Sequence, residues 1–392
     1  MSQMKGPWED WTPGVLSKPQ LSDLCHNGHI TGVGSDLSAI GPSSLDLHLS
    51  TDGYLMPEGA VKPFGGGFLH ELQKQNLVET LNATDGGTFL LEPKQTYLFK
   101  LCERLERLGN SGIFGQATAK SSVGRVDVLA RLVVDGMDGY ESFNPNALAA
   151  GNGDLFIEIT SLTFPVMVRP DCSLSQLRFF YGEPANCEVR GKEAFHCFIK
   201  NTDENDGSLS VDLSPVMIGG IQLVAFCSQQ PTEKAEPIPL YPTLTPPDPC
   251  KYWRSIKTDY RKRLTLKKGS FYILRSKEKM ALPGGIAVYC RAIDETLGEM
   301  RIHYAGFAHP WFGRTRTDGE IGTPLIFEVR GHDVNTSLKD GAKMARLSFY
   351  RMSLDAEKEE SSYESQALQL SKFFAGWPAS IKVDEAGNMR RA

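Results

Sequence analysis

Short apolar runs dominate the hydrophobic pattern of this 392-residue chain. Most runs are a few residues long and end at Gly, Pro, Asn or Asp, which is the pattern of β-strands separated by turns. The clearest runs between residues 43 and 182 are SSLDLHLS, TYLFKL, GIFGQAT, DVLARLVV, LFIEITSL, PVMVRP and QLRFFYG. This pattern predicts an all-β fold of the sandwich or barrel type.

The two ends of the chain differ from this strand pattern. Near the N-terminus, Ser17 is a suitable N-cap, Leu21 and Leu24 follow at helical spacing, and Gly28 is a stop signal, so a short helix is predicted. The last segment, 353–392, begins charged and then becomes apolar. We expect this tail either to pack as a terminal helix or to fold over a site as a lid.

The strand pattern of the first half returns in the second. Three segments match three later ones in the same order: 44–50 with 210–216, 91–100 with 266–275, and 154–180 with 324–350. The last match has no gaps and aligns Glu158 with Glu328. Ordered matches of this kind predict a tandem duplication. We therefore expect three parts: a first β domain, a second β domain and a tail, with the bounds 1–200, 201–352 and 353–392.

Composition narrows the class of protein. With 41% hydrophobic and 23% charged residues, the chain has the balance of a globular protein. A net charge of −5 argues against nucleic acid or an anionic membrane as a partner. No signal-like or membrane-length apolar run is present, so a cytoplasmic location is expected. The eight cysteines include no CxxC pair, which favours reduced thiols over disulfides or a zinc site.

One motif does not fit a plain turn. In AKSSVGR (119–125), two adjacent hydroxyls and an arginine stand between two apolar runs. With the strand glutamate and the segments SLDLHLS and LEPKQTYLFKLCERLERL, this motif resembles the dCTP deaminase branch of the dUTPase-like superfamily. The family patterns are [RK]-S-S-[LV]-x-R, a strand with a central glutamate, S-[LV]-D-[LV]-R-L and P-G-x-x-Y-L-x-x-T-x-E. The resemblance extends over both halves and is weaker in the second.

The resemblance implies a fold and a reaction. The fold is a distorted jelly-roll (β-clip) barrel, here in tandem, that assembles as a homo-oligomer, usually a trimer with sites between subunits. The reaction is hydrolysis of dCTP to dUTP and ammonia, with Mg²⁺ on the triphosphate and no zinc. The sequence also lacks H-x-E followed by P-C-x-x-C, the pattern of zinc deaminases. A glutamate in an apolar strand, whose pKa is raised by burial, is then the expected base.

The two halves carry different parts of the expected site. The first half keeps the Ser-Ser-Arg element, but Asp135 stands where the resemblance places a histidine. The second half has Ala308-His309, but 294–299 (DETLGE) replaces the hydroxyl–arginine element. We therefore predict one site built from both halves, with Glu328 favoured over Glu158 as the general base.

The resemblance also implies roles for the remaining side chains. One hydroxyl of Ser121 or Ser122 would hold the attacking water together with the backbone carbonyl near Ala308. Arg125 would orient the carboxylate or bind a phosphate, as a fixed fork of donors does well. Lys120 stands where the family often has arginine and would bind substrate.

Further candidates lie in loops and in the tail. Asp138 falls where the dUTPase branch keeps its catalytic aspartate, although a plain loop carboxylate is the alternative. Tyr363 and Gln366 in SSYESQ resemble the family's K-Y-x-x-Q lid and are candidate triphosphate contacts. His309 before Pro310 has the alternative of only shaping a turn.

Two other functions stay open at the level of sequence. One is a bifunctional dCTP deaminase that also carries dUTP on to dUMP and pyrophosphate. The other is a non-catalytic deoxynucleotide-binding module, motivated by the charge reversal at Glu299 and the loss of histidine at Asp135.

Overall fold

The computed structural model describes residues 6–148, 153–202, 206–229, 236–292, 300–302, 306–314, 321–358 and 368–392. Short helices accompany a fold that is mostly β-strand, as the sequence predicted. The helices of the described residues are Lys18–His26 (α1), Phe68–Lys74 (α2), Ser121–Gly124 (α3), Pro184–Cys187 (α4) and Lys192–Phe198 (α5), with a 3₁₀ turn at Pro249–Lys251.

The strands follow the predicted apolar runs, with shorter pieces between them. The described strands up to residue 200 are Gly14–Val15 (β1), Ile30–Thr31 (β2), Leu45–Met56 (β3), Glu79–Thr80 (β4), Phe89–Leu91 (β5), Thr96–Leu105 (β6), Ile113–Ala119 (β7), Val128–Val134 (β8), Ser142–Phe143 (β9), Asp154–Ser161 (β10), Val166–Val168 (β11), Ser173–Tyr181 (β12), Glu188–Val189 (β13) and Ile199–Lys200 (β14).

The second half continues in the same manner. Its described strands are Ser208–Ser210 (β15), Val216–Ile218 (β16), Ile221–Leu223 (β17), Ala225–Ser228 (β18), Ile238–Pro239 (β19), Trp253–Ile256 (β20), Arg263–Leu266 (β21), Phe271–Met280 (β22), Ile286–Ala292 (β23), Met300–Ile302 (β24), Phe307–Ala308 (β25), Thr323–Gly331 (β26), Thr336–Lys339 (β27), Lys343–Arg351 (β28), Ile381–Val383 (β29) and Met389–Arg391 (β30).

Helix α1 begins where the sequence predicts. Ser17 and Gln20 form a capping box, in which the Ser17 amide donates to Gln20 Oε1 at 3.1 Å. Leu21 and Leu24 face the interior and are fully buried. The helix therefore packs one apolar stripe against the first sheet.

The first half forms a curved sheet that nearly closes on itself. The hydrogen-bonded order is β8-β10-β6-β3-β12-β7-β9, with β1, β2 and β4 attached at its side. The Glu141 amide, just before β9, donates to the Leu132 carbonyl in β8 at 2.9 Å. This bond joins the two ends of the order, so the sheet is barrel-like.

Among the described residues, two sheets that are smaller than the first form the main part of the second half, beside several two-stranded sheets. One has the order β20-β18-β22-β26-β24, and the other has the order β13-β28-β23-β25. Glu158 of β10 pairs with Leu98 of β6, and Glu328 of β26 pairs with Ile273 of β22. The residues preceding these partners are both tyrosines whose hydroxyls accept a backbone N–H at 2.9 Å. This shared register supports the duplication, which stays a prediction.

The halves are not separate bodies. The largest hydrophobic cluster holds Phe164 from the first half, Trp253 from the second and Phe374 from the tail. Strand β11 pairs in parallel with β19 across the two halves. The tail packs into this cluster without helix in residues 368–392, so the expected terminal helix is absent there. The proposed domain bounds at 200 and 352 stay a prediction.

Two further expectations concern thiols and membranes. All eight cysteines lie within the described residues and are free thiols. Among the described residues, none of the helices has the length and apolar character to cross a membrane.

Candidate active site

The Ser-Ser-Arg motif forms a one-turn helix, where strand patterning alone indicated a plain turn. Helix α3 links β7 to β8, and its turn closes when the Arg125 amide donates to the Ser121 carbonyl at 3.0 Å. Ser122 and Arg125 are both buried, while Ser121 is half-buried. The tight turn therefore directs the arginine toward the interior.

Glu328 lies directly against this turn. Its Oε1 is 3.8 Å from Arg125 Nε, and both side chains are almost completely buried. A Cβ on Gly124 would stand 2.4 Å from Glu328 Oε2, so only a glycine leaves room for the carboxylate. One carboxylate oxygen, Glu328 Oε2, is therefore buried without a hydrogen-bond partner among the described residues.

Burial controls the charge of Glu328. Desolvation raises the pKa of Glu328 from 4.5 to about 8, while the Arg125 guanidinium lowers it and the Asp127 carboxylate raises it. A carboxyl group with a pKa near neutral pH can both accept and return a proton. This is the electrostatic behaviour that a general base requires.

The Ala308-His309 loop of the second half meets the first half next to the same turn. A Cβ on Gly306 would lie 3.2 Å from the Ala119 carbonyl oxygen, at the end of β7. Ser43 Oγ lies 3.0 Å from His309 Nδ1. Burial, with the positive charges of Arg178 and Lys120, lowers the pKa of His309 to about 3. The imidazole is therefore neutral at physiological pH.

The C-terminal tail covers the other side of α3. Ser371 Oγ donates to the Ser122 carbonyl at 2.6 Å, and Arg125 Nη1 donates to the Leu370 carbonyl at 3.4 Å. Tyr363 and Gln366, the predicted lid residues, lie outside the described residues. The described part of the tail thus packs on the motif itself, and the lid stays a prediction.

A cationic cluster lies at the edge of this arrangement. The Lys120 ammonium pairs with the Asp46 carboxylate. Partial burial and the charge of Lys120 lower the pKa of Lys372, which the Asp46 carboxylate partly offsets. Two lysines near one aspartate leave a net positive charge, which favours an anionic ligand.

A second pair of charges joins the halves behind Glu328. Arg330 Nη1, two residues further along β26, bonds the buried Asp127 carboxylate and lies 3.0 Å from Thr163 Oγ1. Thr163 Oγ1 also donates to the Asp127 carboxylate. Arg125 and Asp127 of the first half therefore face Glu328 and Arg330 of the second. We call Ser121, Ser122, Arg125, Ala308, His309 and Glu328 the candidate site.

Glu158 has a different environment from Glu328. Its carboxylate pairs with Arg131, the residue opposite it on the neighbouring strand β8, and accepts a hydrogen bond from Tyr140 Oη at 3.0 Å. The Arg131 guanidinium stacks 4.4 Å from the Tyr140 ring centroid. Both oxygens of Glu158 thus have partners in the first half.

The remaining predicted residues lie either in the first half, away from Glu328, or outside the described residues. Asp135 Oδ1 accepts the Phe68 amide at 2.7 Å and so caps the start of α2. Asp138 is an exposed loop residue beside Gly65. Segment 294–299, with Glu295 and Glu299, lies outside the described residues. The structure therefore brings neither Asp135 nor Asp138 into contact with Glu328.

Sequence reasoning missed several residues around the site. Arg178 of β12 donates to the Ala308 carbonyl, Arg330 holds Asp127, and Lys372 approaches Lys120. Arg178 in QLRFF and Arg330 in PLIFEVRG are charged residues inside apolar strands. A charged residue inside an apolar strand was also part of the reason for choosing Glu328. The same feature could have identified both arginines.

Comparisons with known proteins identify the family. Residues 12–183 match the model of the 2′-deoxycytidine 5′-triphosphate deaminase N-terminal domain, and residues 188–374 match that of the C-terminal domain. A crystal structure of 2′-deoxycytidine 5′-triphosphate deaminase from Agrobacterium tumefaciens is similar, with a TM-score of 0.75 and 25% identity over 88% of this chain and 97% of that one. No curated protein sequence matches the chain.

These matches agree with the β fold. The two family models together extend over both halves and the beginning of the described tail. The chain therefore belongs to the 2′-deoxycytidine 5′-triphosphate deaminase family.

Proposed function

We propose that the chain hydrolyses dCTP to dUTP and ammonia, with Glu328 as the general base. The observation that carries this proposal is the buried carboxylate of Glu328. It has one unpartnered oxygen among the described residues, a neighbouring arginine and a pKa raised to about 8. Glu158 differs, because its two carboxylate oxygens are bonded by Arg131 and Tyr140.

The proposed reaction needs a proton carrier and a held water. Glu328 takes a proton from water and passes it to N3 of cytosine, while the resulting hydroxide attacks C4. Glu328 then moves the proton of the new C4 hydroxyl to the amine, the C4–N bond breaks, and ammonia leaves while the C4 carbonyl of dUTP forms. Because the pKa of Glu328 is raised, the carboxyl can hold the proton between these steps.

The neighbouring groups supply orientation. We assign the attacking water to a hydroxyl of Ser121 or Ser122 and to the Ala308 carbonyl. Arg125, with its Nε 3.8 Å from Oε1, fixes the orientation of the carboxylate. Preorganised groups of this kind stabilise charge as it develops and add to acid–base catalysis.

The substrate is proposed to be the magnesium complex of the triphosphate. Lys120 is its proposed phosphate contact, and Lys372 brings a second ammonium toward the same place. Asp46 compensates only one of these charges. We propose no metal ligand from the protein, because the sequence lacks the zinc deaminase pattern and a carboxylate serves as the base.

The test compares two glutamates that occupy matching strand positions. Glu328→Gln should reduce ammonia release from dCTP by about 10²- to 10⁴-fold, the usual contribution of general acid–base catalysis. Glu158→Gln, the matched control, should keep deamination while lowering the melting temperature, because Arg131 loses its partner.

Retained deamination in Glu328→Gln, together with its loss in Glu158→Gln, would move the base to the first half. Circular dichroism establishes that each variant is folded. Measuring pyrophosphate alongside ammonia determines whether dUTP is the final product.

A further inference from the structure

Arg178 joins the two halves through main-chain and hydroxyl acceptors. Its side chain is completely buried. Nη1 donates to the Val288 carbonyl at 2.8 Å, and Nη2 lies 3.3 Å from both the Ala308 carbonyl and Ser43 Oγ. The guanidinium also lies 3.9 Å from the centroid of the Phe307 ring. One first-half side chain therefore fixes strand β25, which carries Ala308.

Burying Arg178 at this place costs free energy of folding, so we look for a function that only an arginine can serve there. All three of its hydrogen-bond acceptors are neutral, and burying a charge without a compensating ion is expensive. An apolar side chain of similar volume is often no worse for stability at such a position. What only an arginine provides here is several rigidly arranged donors at once.

The direction of the hydrogen bonds follows from the chemistry of arginine. A guanidinium can only donate, so Ser43 Oγ accepts from Arg178. Ser43 is fully buried, and the other contact of its hydroxyl among the described residues is His309 Nδ1 at 3.0 Å, so the single hydroxyl proton is directed there. Nδ1 must be unprotonated to accept it, so the neutral imidazole carries its proton on Nε2.

The surroundings of His309 agree with a neutral ring. The charged groups that act on it are Arg178 from β12 and Lys120, which lies between β7 and α3. Both are positive, and both oppose protonation of the imidazole. A neutral ring with fixed Nδ1 presents a single N–H donor from Nε2.

We propose that Arg178 and Ser43 are positioning residues that hold the Ala308 carbonyl and lock His309 as a neutral Nε2–H donor at the candidate site. The effect on catalysis rests on the proposed function. The tautomer itself does not, because it follows from the contacts of Ser43 and Arg178.

The tautomer is tested by nuclear magnetic resonance on the full chain with ¹⁵N-labelled histidine. The signals of His309 are assigned by their loss in His309→Gln. In the wild type we expect an unprotonated Nδ1, a protonated Nε2 and no titration between pH 5 and pH 8. In Ser43→Ala we expect a shift toward the other tautomer, because the donor to Nδ1 is gone.

Ser44→Ala is the matched control. Ser44 is an adjacent buried serine whose hydroxyl donates to Gln176 Oε1 at 3.3 Å. The variant removes the same atom and should leave the His309 signals unchanged.

Kinetics test the consequence for the reaction. Ser43→Ala should lower kcat for dCTP by about 10- to 100-fold, the cost of misplacing a reacting group, with KM changed little. Ser43→Thr, which keeps the hydroxyl, should recover part of this loss. Arg178→Lys keeps the charge but cannot reach three acceptors together, so it should also lower kcat. If Arg178→Lys does not fold, the serine variants still decide the question.

Two results would overturn the inference. One is a wild-type His309 that is protonated on Nδ1 or positively charged at neutral pH. The other is a Ser43→Ala protein with unchanged His309 signals and unchanged kcat. A wild-type protein that does not deaminate dCTP would instead overturn the proposed function, and the tautomer would still decide this inference.

Discussion

At the scale of single residues, the contact between Gly124 and Glu328 leads to a first prediction. A methyl group on Gly124 would stand 2.4 Å from Glu328 Oε2, well inside van der Waals contact. Gly124→Ala should therefore displace the carboxylate and lower kcat by roughly 10²-fold, as expected for a misplaced catalytic group. Steady-state kinetics measure the loss, and circular dichroism checks the fold.

Gly376→Ala is the control for that substitution. A Cβ at Gly376 has no heavy atom within 4 Å, so the extra methyl group should be tolerated. Equal kcat values for Gly124→Ala and the wild type would show that the carboxylate does not need its present position.

The raised pKa of Glu328 makes stability depend on pH. Between 4.5 and about 8 the folded protein keeps a proton on Glu328 that the unfolded chain has lost. The stability from this group is thus complete below pH 4.5 and falls as pH rises through 8. Gln has no such titration. Glu328→Gln should therefore gain melting temperature relative to the wild type between pH 5 and pH 9.

Calorimetry at several pH values measures that difference. The pKa of Glu141 is also raised to about 8 by burial, but Glu141 is present in both proteins and cancels. A difference in melting temperature that stays constant across this range would contradict the raised pKa of Glu328.

Several site residues could be predicted from sequence because they stand in motifs that resemble those of the family. Glu328, Arg125 and the Ala308-His309 pair were selected from motifs in different halves, and the structure brings them together. Their catalytic roles stay predictions. The pairing of Glu158 with Arg131 was not predictable, since it depends on which strand lies opposite β10 in the sheet.

At the scale of elements, the tail stabilises the turn that carries the motif. Phe374 is buried against Tyr252 and Trp253, with ring centroids 5.3 and 6.1 Å away. Phe374→Ala should lower the free energy of unfolding by about 3–5 kcal/mol, the usual cost of removing a buried aromatic ring. It should also lower deamination, because the adjacent Ser371 and Leu370 hold α3. Urea denaturation and the ammonia assay measure both effects.

Leu354→Ala is the control for the tail. Leu354 is 51% exposed, so its removal should change the free energy of unfolding by less than about 0.5 kcal/mol. A Phe374→Ala protein as stable as Leu354→Ala would mean that the tail is not docked in solution.

The elements themselves were predictable to different degrees. Long apolar runs such as 154–161 form strands where expected, and α1 starts after Ser17. Helix α2 was not predicted, because this helix of about two turns depends on the Asp135 carboxylate at its start. The path of the tail was not predictable either, since its apolar residues fit a helix and a docked irregular segment equally well.

At the scale of the whole molecule, charged pairs couple the two halves. Asp127 is buried and bonded by Arg330 from β26. Asp127→Asn and Arg330→Gln should each destabilise the protein by about 3–5 kcal/mol, because each leaves a buried charge without its partner. The double variant should lose less than the sum, with a coupling energy of about 1–3 kcal/mol.

Urea unfolding of the four proteins gives this coupling energy directly. Asp259→Asn is a suitable control, because Asp259 is exposed and its carboxylate accepts hydrogen bonds from two amides of its own turn. Additive losses for the two substitutions at Asp127 and Arg330 would show that the halves are not joined there.

The contact between Arg125 and Glu328 occurs within one chain. When a pocket forms between identical copies, every copy must carry the residues of both sides of the pocket. Under the predicted duplication, the two halves are covalently linked and can differ in sequence. Each half then needs to carry the residues of one side of the pocket. Glu158, held by Arg131 and Tyr140, and Asp135, which caps a helix, are then positions released from chemistry and reused as scaffold.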